Sequence, residues 1–469
     1  MSVEGSVCLR AEVPETRLMR VAVPASMRRS PRDRAIAALA LPALATLAID
    51  PIVSIVDTAW VARLGTEPLA ALAVASTVFI ATFSILSFLP MTITPLVAGE
   101  VGRGDLEKAG AIASGSVAVA IVVGVLVAVA GWLLADPLTG AFGASEQVTS
   151  LASSYLSIRF LAMPAMLIAL VGHGVFRGHS DTRTPLVVAI GMNVVNLILD
   201  PILIFGAGLG VEGAAWATVA AQWIAAAWFL VLLYLTHRHR LGIGGAQRGV
   251  DATAVRRVLA AGWPMMLRSA ALLAVLTATT VAASHIGTAQ LAAHQIALQI
   301  WLLLSLVLDA YAIAAQAMVG TDLGSGSRQA ARTISNRLLV LGLGTGLILS
   351  VVLVVVAPWL GTVFSLEPGV AAGLWSIYPI IVVLQPLTAL VYVWDGIGIG
   401  ASAFRYLAGS MVIAGVITLG VLFAIGTTLV GVWSAIVVLT LLRLGALAVW
   451  HAFGPLAPGP GRFRASRAI

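Results

Sequence analysis

Five carboxylates lie inside apolar stretches of this 469-residue chain: Asp50, Asp57, Asp200, Asp309 and Asp395. A charged side chain near the centre of a bilayer costs at least about 2.5–3.5 kcal/mol. Each therefore requires a basic partner, a proton, a cation or water. Asn196 stands one helical turn before Asp200 and shares its face, and Pro201 frees a backbone carbonyl one turn back. Together with Asp57, Thr218 and Tyr155, these groups form a set of hard oxygen ligands suited to Na⁺ or to holding a proton. No basic residue falls among the five. The competing reading for any single carboxylate is a structural ion pair with an intramembrane arginine. Arg268 is expected to pair with Asp309 or Asp395 and to act structurally, with a gating role. Asp50 lies seven residues before Asp57, on nearly the same helix face, and is either a second proton carrier or a structural group within its helix.

Membrane spans position these residues. The chain is 60% hydrophobic and 10% charged, with a mean hydropathy of +1.02, outside the range of a soluble globular domain. Runs of about 20 residues are needed to cross the hydrocarbon. Twelve are read, at 36–62, 70–98, 108–135, 148–172, 184–206, 212–236, 255–285, 290–320, 330–360, 368–394, 406–426 and 429–452. With alternating directions, Asp57, Tyr155, Asp200 and Thr218 fall in one layer roughly 9 Å below the outer end of their spans. Periodicity alone does not establish that their side chains converge.

The chain also matches itself at an offset of 222. Leu64-Gly-Thr-Glu-Pro-Leu-Ala-Ala71 lies over Ile286-Gly-Thr-Ala-Gln-Leu-Ala-Ala293, Gly102 and Gly104 meet Gly324 and Gly326, and Pro164 meets Pro386. So long a period means two copies of one multi-helix unit in the same orientation, with a pathway at their interface. The expected fold is an all-α integral membrane protein of twelve transmembrane helices in two six-helix lobes related by pseudo-two-fold symmetry. The segments are a disordered basic arm at 1–34, a lobe at 35–236, a linker at 237–254, a lobe at 255–453 and a tail at 454–469. Met19 and Met27 are alternative starts. Of 27 Lys and Arg, 23 fall in the arm, in the loops on the same side and in the tail. That bias places both termini in the cytoplasm of a cell inner (plasma) membrane. The basic residues are spread over loops, which argues against a nucleic-acid partner. The single cysteine, Cys8, allows no intrachain disulfide.

Several motifs in order resemble one family. They are Leu41-Pro-Ala, Val56-Asp-Thr-Ala-Trp-Val-Ala-Arg-Leu-Gly65, Phe176-Arg-Gly-His-Ser-Asp-Thr-Arg-Thr-Pro185, Asn196-Leu-Ile-Leu-Asp-Pro201 and Leu291-Ala-Ala-His-Gln-Ile296. Over about residues 32–455 the chain is similar to the MATE (multidrug and toxic compound extrusion) transporters. Asn196 to Pro201, Arg268 and Asp395-Gly-Ile-Gly-Ile-Gly-Ala401 look more like the DNA-damage-inducible F branch. The resemblance implies a cation site in the amino-terminal lobe at Asp57, Asn196, Asp200, Thr218 and Tyr155, and a first span that bends at Pro42. Leu267-Arg268-Ser269 stands where another branch carries an acidic residue for Na⁺ coupling, so a carboxyl-lobe site of that type is not expected.

The function expected is export of bulky amphipathic or cationic organic compounds by proton- or Na⁺-coupled antiport with alternating access. No cofactor is expected, and a monomer in the lipid bilayer is the expected state. A lipid-linked glycan flippase is the nearest alternative, but it calls for a basic cavity, and only Arg159 and Arg268 are candidates. A membrane-embedded enzyme lacks its motifs: there is no HExxH, GxSxG or CxxC. His173, His285 and His294 read as helix-end or packing residues.

Overall fold

The computed structural model describes residues 31–244, 251–363, 367–454 and 456. Within hydrocarbon each backbone N–H and C=O must be satisfied inside its own segment, so the Ala-, Val- and Leu-rich runs become helices. Fourteen α-helices are present among the described residues, and no strand. The first lobe comprises α1 (Pro31–Ala62), α2 (Thr66–Leu86), α3 (Phe88–Arg103), α4 (Leu106–Gly140), α5 (Glu146–Phe160), α6 (Met163–Gly178), α7 (Arg183–Pro201) and α8 (Gly210–Val231). The second comprises α9 (Ala252–Ile286), α10 (Thr288–Gly324), α11 (Arg328–Val363), α12 (Pro368–Gly400), α13 (Phe404–Ile425) and α14 (Leu429–Phe453). Eleven segments are long and apolar enough to span, with α2 and α3 acting as one; a twelfth is formed by α5 and α6, bent by 47° at Leu161 and Ala162. Large apolar side chains such as Phe423 and Leu235 stand outward, as a lipid-facing surface allows.

The duplication is visible in backbone conformation. Adding 222 to Thr66, Glu146 and Gly178 gives Thr288, residue 368 and Gly400, where the matching helices start or end. The left-handed turn positions recur too: Gly104 (φ 77°) with Gly326 (φ 81°), and Ser180 (φ 57°) with Ser402 (φ 56°). A serine in this region is uncommon, so its recurrence marks a turn geometry that both halves require. The copies differ in their breaks. The chain kinks at Ser87 and again after Phe160, whereas α10 and α12 run through the corresponding positions.

The sequence-derived segments shift at their ends. Helix α1 begins inside the expected arm, and α9 inside the expected linker. Residues 1–30, 245–250 and most of the tail lie outside the described residues.

The lobes meet along α3 and α10 at the end that bears the termini. The seam is itself two-fold. A Cβ added to Gly102 would lie 2.1 Å from the Thr321 carbonyl, and one added to Gly324 would lie 2.2 Å from that of Gly99. Only glycine permits so close a backbone approach. Ion pairs flank it. Buried Glu100 on α3 accepts from Arg257 of α9 at 2.7 Å and pairs with Arg103 at 2.9 Å. Asp33 of α1 holds Arg337 of α11 through both oxygens, at 2.7 and 2.6 Å.

Closure at this end should therefore be sensitive to a single methyl-bearing substitution in the seam. In a Cys8→Ser background, Asp33→Cys and Arg337→Cys should be joined efficiently by a short bifunctional thiol reagent. Adding Gly102→Val should reduce that yield severalfold. An unchanged yield would mean that backbone contact does not hold this end shut.

Candidate functional site

A cavity of about 320 Å³ opens inside the amino-terminal lobe, walled by α1, α2, α5, α6, α7 and α8. Helix periodicity supplies its polar wall in pairs three, four or seven residues apart: Asp50 and Asp57, Tyr155 and Arg159, Asn193 with Asn196 and Asp200, Thr218 and Gln222. All but Asp200 line the cavity directly.

Asp200 lies just behind that wall, wholly buried. Its carboxyl group is within hydrogen-bonding reach of Asp57. Neither Asp200 oxygen receives a hydrogen-bond donor, and Asp57 Oδ1 also lacks one. Two facing acceptors without a donor between them form a site that a proton or a small cation would complete. The neighbouring groups are partly occupied. Asn196 Nδ2 donates to Thr218 Oγ1 at 3.4 Å, and that hydroxyl donates to the Ala214 carbonyl at 2.9 Å, which leaves the amide oxygen of Asn196 available. Tyr155 is buried in the same layer. The five residues expected to converge do so, and the site lies where α7 gives way to a π-helical stretch, Ile202–Gly206, directly after Pro201.

The expectation that no basic group accompanies them is wrong. Arg159 is close enough to act electrostatically on both Asp57 and Asp200, and it hydrogen-bonds to Tyr155. It also donates to Gln222 Oε1 at 3.1 Å and stacks 4.3 Å over the Phe79 ring. Its place follows from helical spacing. In the last turn of helix α5, the arginine is presented to the cavity one turn beyond Tyr155. The four-residue spacing from Tyr155 was the signal that could have found it. Asn193 and Gln222 were missed likewise, although each shares a face with a residue already identified. Asn193 Nδ2 donates to Asp50 Oδ1 at 3.3 Å, so Asp50 faces the cavity rather than being bonded within its own helix.

Pro42 sits within an unbroken α1. Because proline lacks an N–H, the carbonyl of Ala38 loses its helical donor. The hydroxyl of Thr182, ahead of α7, donates to it at 3.4 Å, and Thr46 Oγ1 donates to the Pro42 carbonyl at 2.9 Å. Helix α1 is thus weakened at the expected hinge and tethered there from a loop.

The carboxyl-terminal lobe is organised otherwise. Arg268 donates to Asp395 Oδ2 at 2.6 Å, as one of its two expected partners. Arg443 donates to the same oxygen, a contact the sequence did not reveal. Asp309 is half-buried beside this trio and also feels Arg177 of α6, which was read as a loop residue and is in fact buried. The adjoining space is about 10 Å³, room for a water at most. Asp395 with Arg268 and Arg443 carries a net charge of +1, which an ionised Asp309 beside them offsets. Among the described residues no His, Cys, Asp and Glu cluster has metal-binding spacing. His294 is buried against Thr280, His173 packs on Phe229 and also lines the cavity, and His285 is an exposed residue near the end of α9.

Comparison with known proteins agrees with this architecture. The MatE family model matches residues 42–202 and 264–425. The chain is 34% identical over 438 residues to the chloroplastic protein DETOXIFICATION 44 of Arabidopsis thaliana, covering 90% of this chain and 82% of that one. It is 30% identical over 298 residues to DNA damage-inducible protein F of Escherichia coli (strain K12), covering 62% and 64%. Its fold is similar to the outward-facing conformation of a multidrug resistance MATE family transporter of the MOP superfamily, with a TM-score of 0.82 at 20% identity over 89% of this chain and 94% of that one.

Removing one member of the Asp395 cluster should be far more harmful than removing all of it. Asp395→Ala takes the bonded counter-ion from two buried arginines and should lower unfolding stability in detergent by about 3–5 kcal/mol. Combining it with Arg268→Met and Arg443→Met should recover most of that loss. Equal stability of the single and triple variants would show that the pairing carries no weight.

Proposed function

The chain belongs to the MATE family of multidrug and toxic compound efflux transporters, which are not enzymes, and we propose that it exports organic compounds in exchange for a cation bound between Asp57 and Asp200. The observation that carries this reading is the pair of facing carboxyl groups, without donors, at the wall of a 320 Å³ cavity. A proton is the simplest occupant, because one hydrogen bond between the two groups supplies the missing donor. Na⁺ is the alternative, with the free oxygen of Asn196 and the hydroxyls of Thr218 and Tyr155 as added ligands.

The substrates proposed are bulky amphipathic or cationic compounds. The cavity supports this with Phe79, Phe83, Met166, Leu170 and Met192 for apolar contact and with Asp50, held by Asn193, as a negative group opening onto it. Against a pyrophosphate-linked lipid stands the single arginine lining the cavity, whose charge is offset by nearby Asp57 and Asp200. The bias of basic residues supports a cytoplasmic location for the terminus-bearing end, in a plasma membrane on this reading. With that end closed, the compound leaves on the opposite side.

Coupling follows from linkage. If a cation on Asp57 and Asp200 and a compound in the cavity favour opposite conformations, each drives the other across. Loading the pair bends α1 at Pro42, where its ladder of hydrogen bonds is already interrupted, and narrows the cavity. Unloading toward the cytoplasm readies it for the next compound.

Export of ethidium and of an acridine dye by inverted vesicles, under an imposed proton or Na⁺ gradient, tests this. Asp57→Asn and Asp200→Asn should each reduce gradient-driven transport at least about fivefold, while exposed Glu67→Gln should leave it intact. Unmutated rates in both Asp variants would place coupling elsewhere. The gradient that supports transport identifies the ion.

A further inference from the structure

The amino-terminal site holds two acids and one base, and the base has no acid of its own. Arg159 is 8% exposed and its visible partners are all neutral: the Tyr155 hydroxyl, the Gln222 amide oxygen at 3.1 Å and the Phe79 ring at 4.3 Å. No direct ion pair joins it to Asp57 or Asp200, yet it lies near enough to act on both. A guanidinium placed this way is not consumed by a local salt bridge. Its charge is available to the pair in every protonation state.

We propose that Arg159 is a fixed counter-ion for the Asp57–Asp200 pair and limits the site to one monovalent cation per transport cycle rather than two. This rests on the reading of that pair as the coupling site. With both acids ionised, the trio carries a net charge of −1. One proton or one Na⁺ brings it to zero. A second would leave a net +1 in a buried site, which hydrocarbon penalises as it does the negative form. Uptake therefore stops at one. Without Arg159 the ionised pair carries −2, and neutrality requires two cations.

The surroundings do not supply a substitute. Helix α2 contributes Ser76, Phe79 and Phe83 to the cavity, α6 contributes His173, α7 contributes Asn193 and Asn196, and α8 contributes Thr218 and Gln222. On α1 the other acid is Asp50, two turns from Asp57 and engaged by Asn193. Tyr155 completes the titratable groups. The guanidinium cannot itself give up its proton at any working pH, so it sets the count without taking part in the exchange.

Proton uptake by the purified full-length chain in detergent micelles tests the count. A pH indicator follows acidification from about pH 9 to about pH 5, without Na⁺ and with it. Subtracting the trace of the Asp57→Asn/Asp200→Asn double variant isolates the protons belonging to the pair. The expected difference is one proton for the unmodified chain and for Arg159→Lys, and two for Arg159→Gln measured against its own double-Asn background. Arg159→Met, whose stem can still pack on Phe79, replaces Arg159→Gln if the latter does not fold. Where Na⁺ competes, it should displace the same number of protons. A difference of one in the Gln or Met variant would overturn the counter-ion assignment while leaving the coupling site intact. A difference of zero in the unmodified chain would overturn the coupling site itself, and this proposal with it.

Discussion

A charge held in hydrocarbon must meet an opposite charge, a proton or a cation, and the two lobes answer that demand in opposite ways. In the carboxyl-terminal lobe, Asp395 takes two arginines on one oxygen and the cluster leaves almost no space beside it. In the amino-terminal lobe, Asp57 and Asp200 face each other with unmet oxygens next to a cavity. In the first arrangement the carboxylate already has its partners. The second is incomplete, and its completion by a mobile ion is what a coupled transporter can use.

This division grew out of a duplicated unit. The halves keep their helix bounds, their left-handed turn residues and a two-fold seam in which Gly102 meets Thr321 as Gly324 meets Gly99. They keep almost none of their polar groups. At the offset of 222, Asp57 corresponds to Thr279, Arg159 to Ile381, His173 to Asp395 and Ala221 to Arg443. Backbone geometry is shared because both halves need the same turns and the same close approach. Charged groups are not shared, so the two lobes hold different polar clusters on one backbone plan.

Departures from regular helix fall in the helices that carry these carboxylates and in the bent pair beside them. Pro42 removes a donor from α1, Pro201 removes one from α7 next to Asp200, and a π-helical stretch follows it. The bend between α5 and α6 follows directly after Arg159, which lines the cavity. Each irregularity loosens a backbone ladder where a carboxylate, or a helix carrying one, would need to shift. At the opposite end the seam and its ion pairs hold the lobes together. Alternating access would require this contact to open in turn.

The sequence alone was enough for the spans and the duplication, and it singled out the five residues around Asp57 and Asp200 without showing that they meet. Hydrocarbon enforces long apolar runs, a 222-residue offset is visible letter by letter, and a carboxylate in an apolar run is conspicuous. Asn196 and Asp200 share a face by helical spacing, and the resemblance to MATE transporters supplied Pro42. What the sequence could not decide was which side chains from different helices meet. Arg268 had two acids to choose from, Arg443 was not linked to either, and Arg159 was counted apart from the acids it accompanies. The bend after Phe160 has a local signal in Pro164, which cannot donate to the Phe160 carbonyl, but its angle of 47° has none. Partner choice depends on the angle and rotation of packed helices. Those are set by tertiary contacts such as glycine against backbone, and no pattern of three or four residues encodes them.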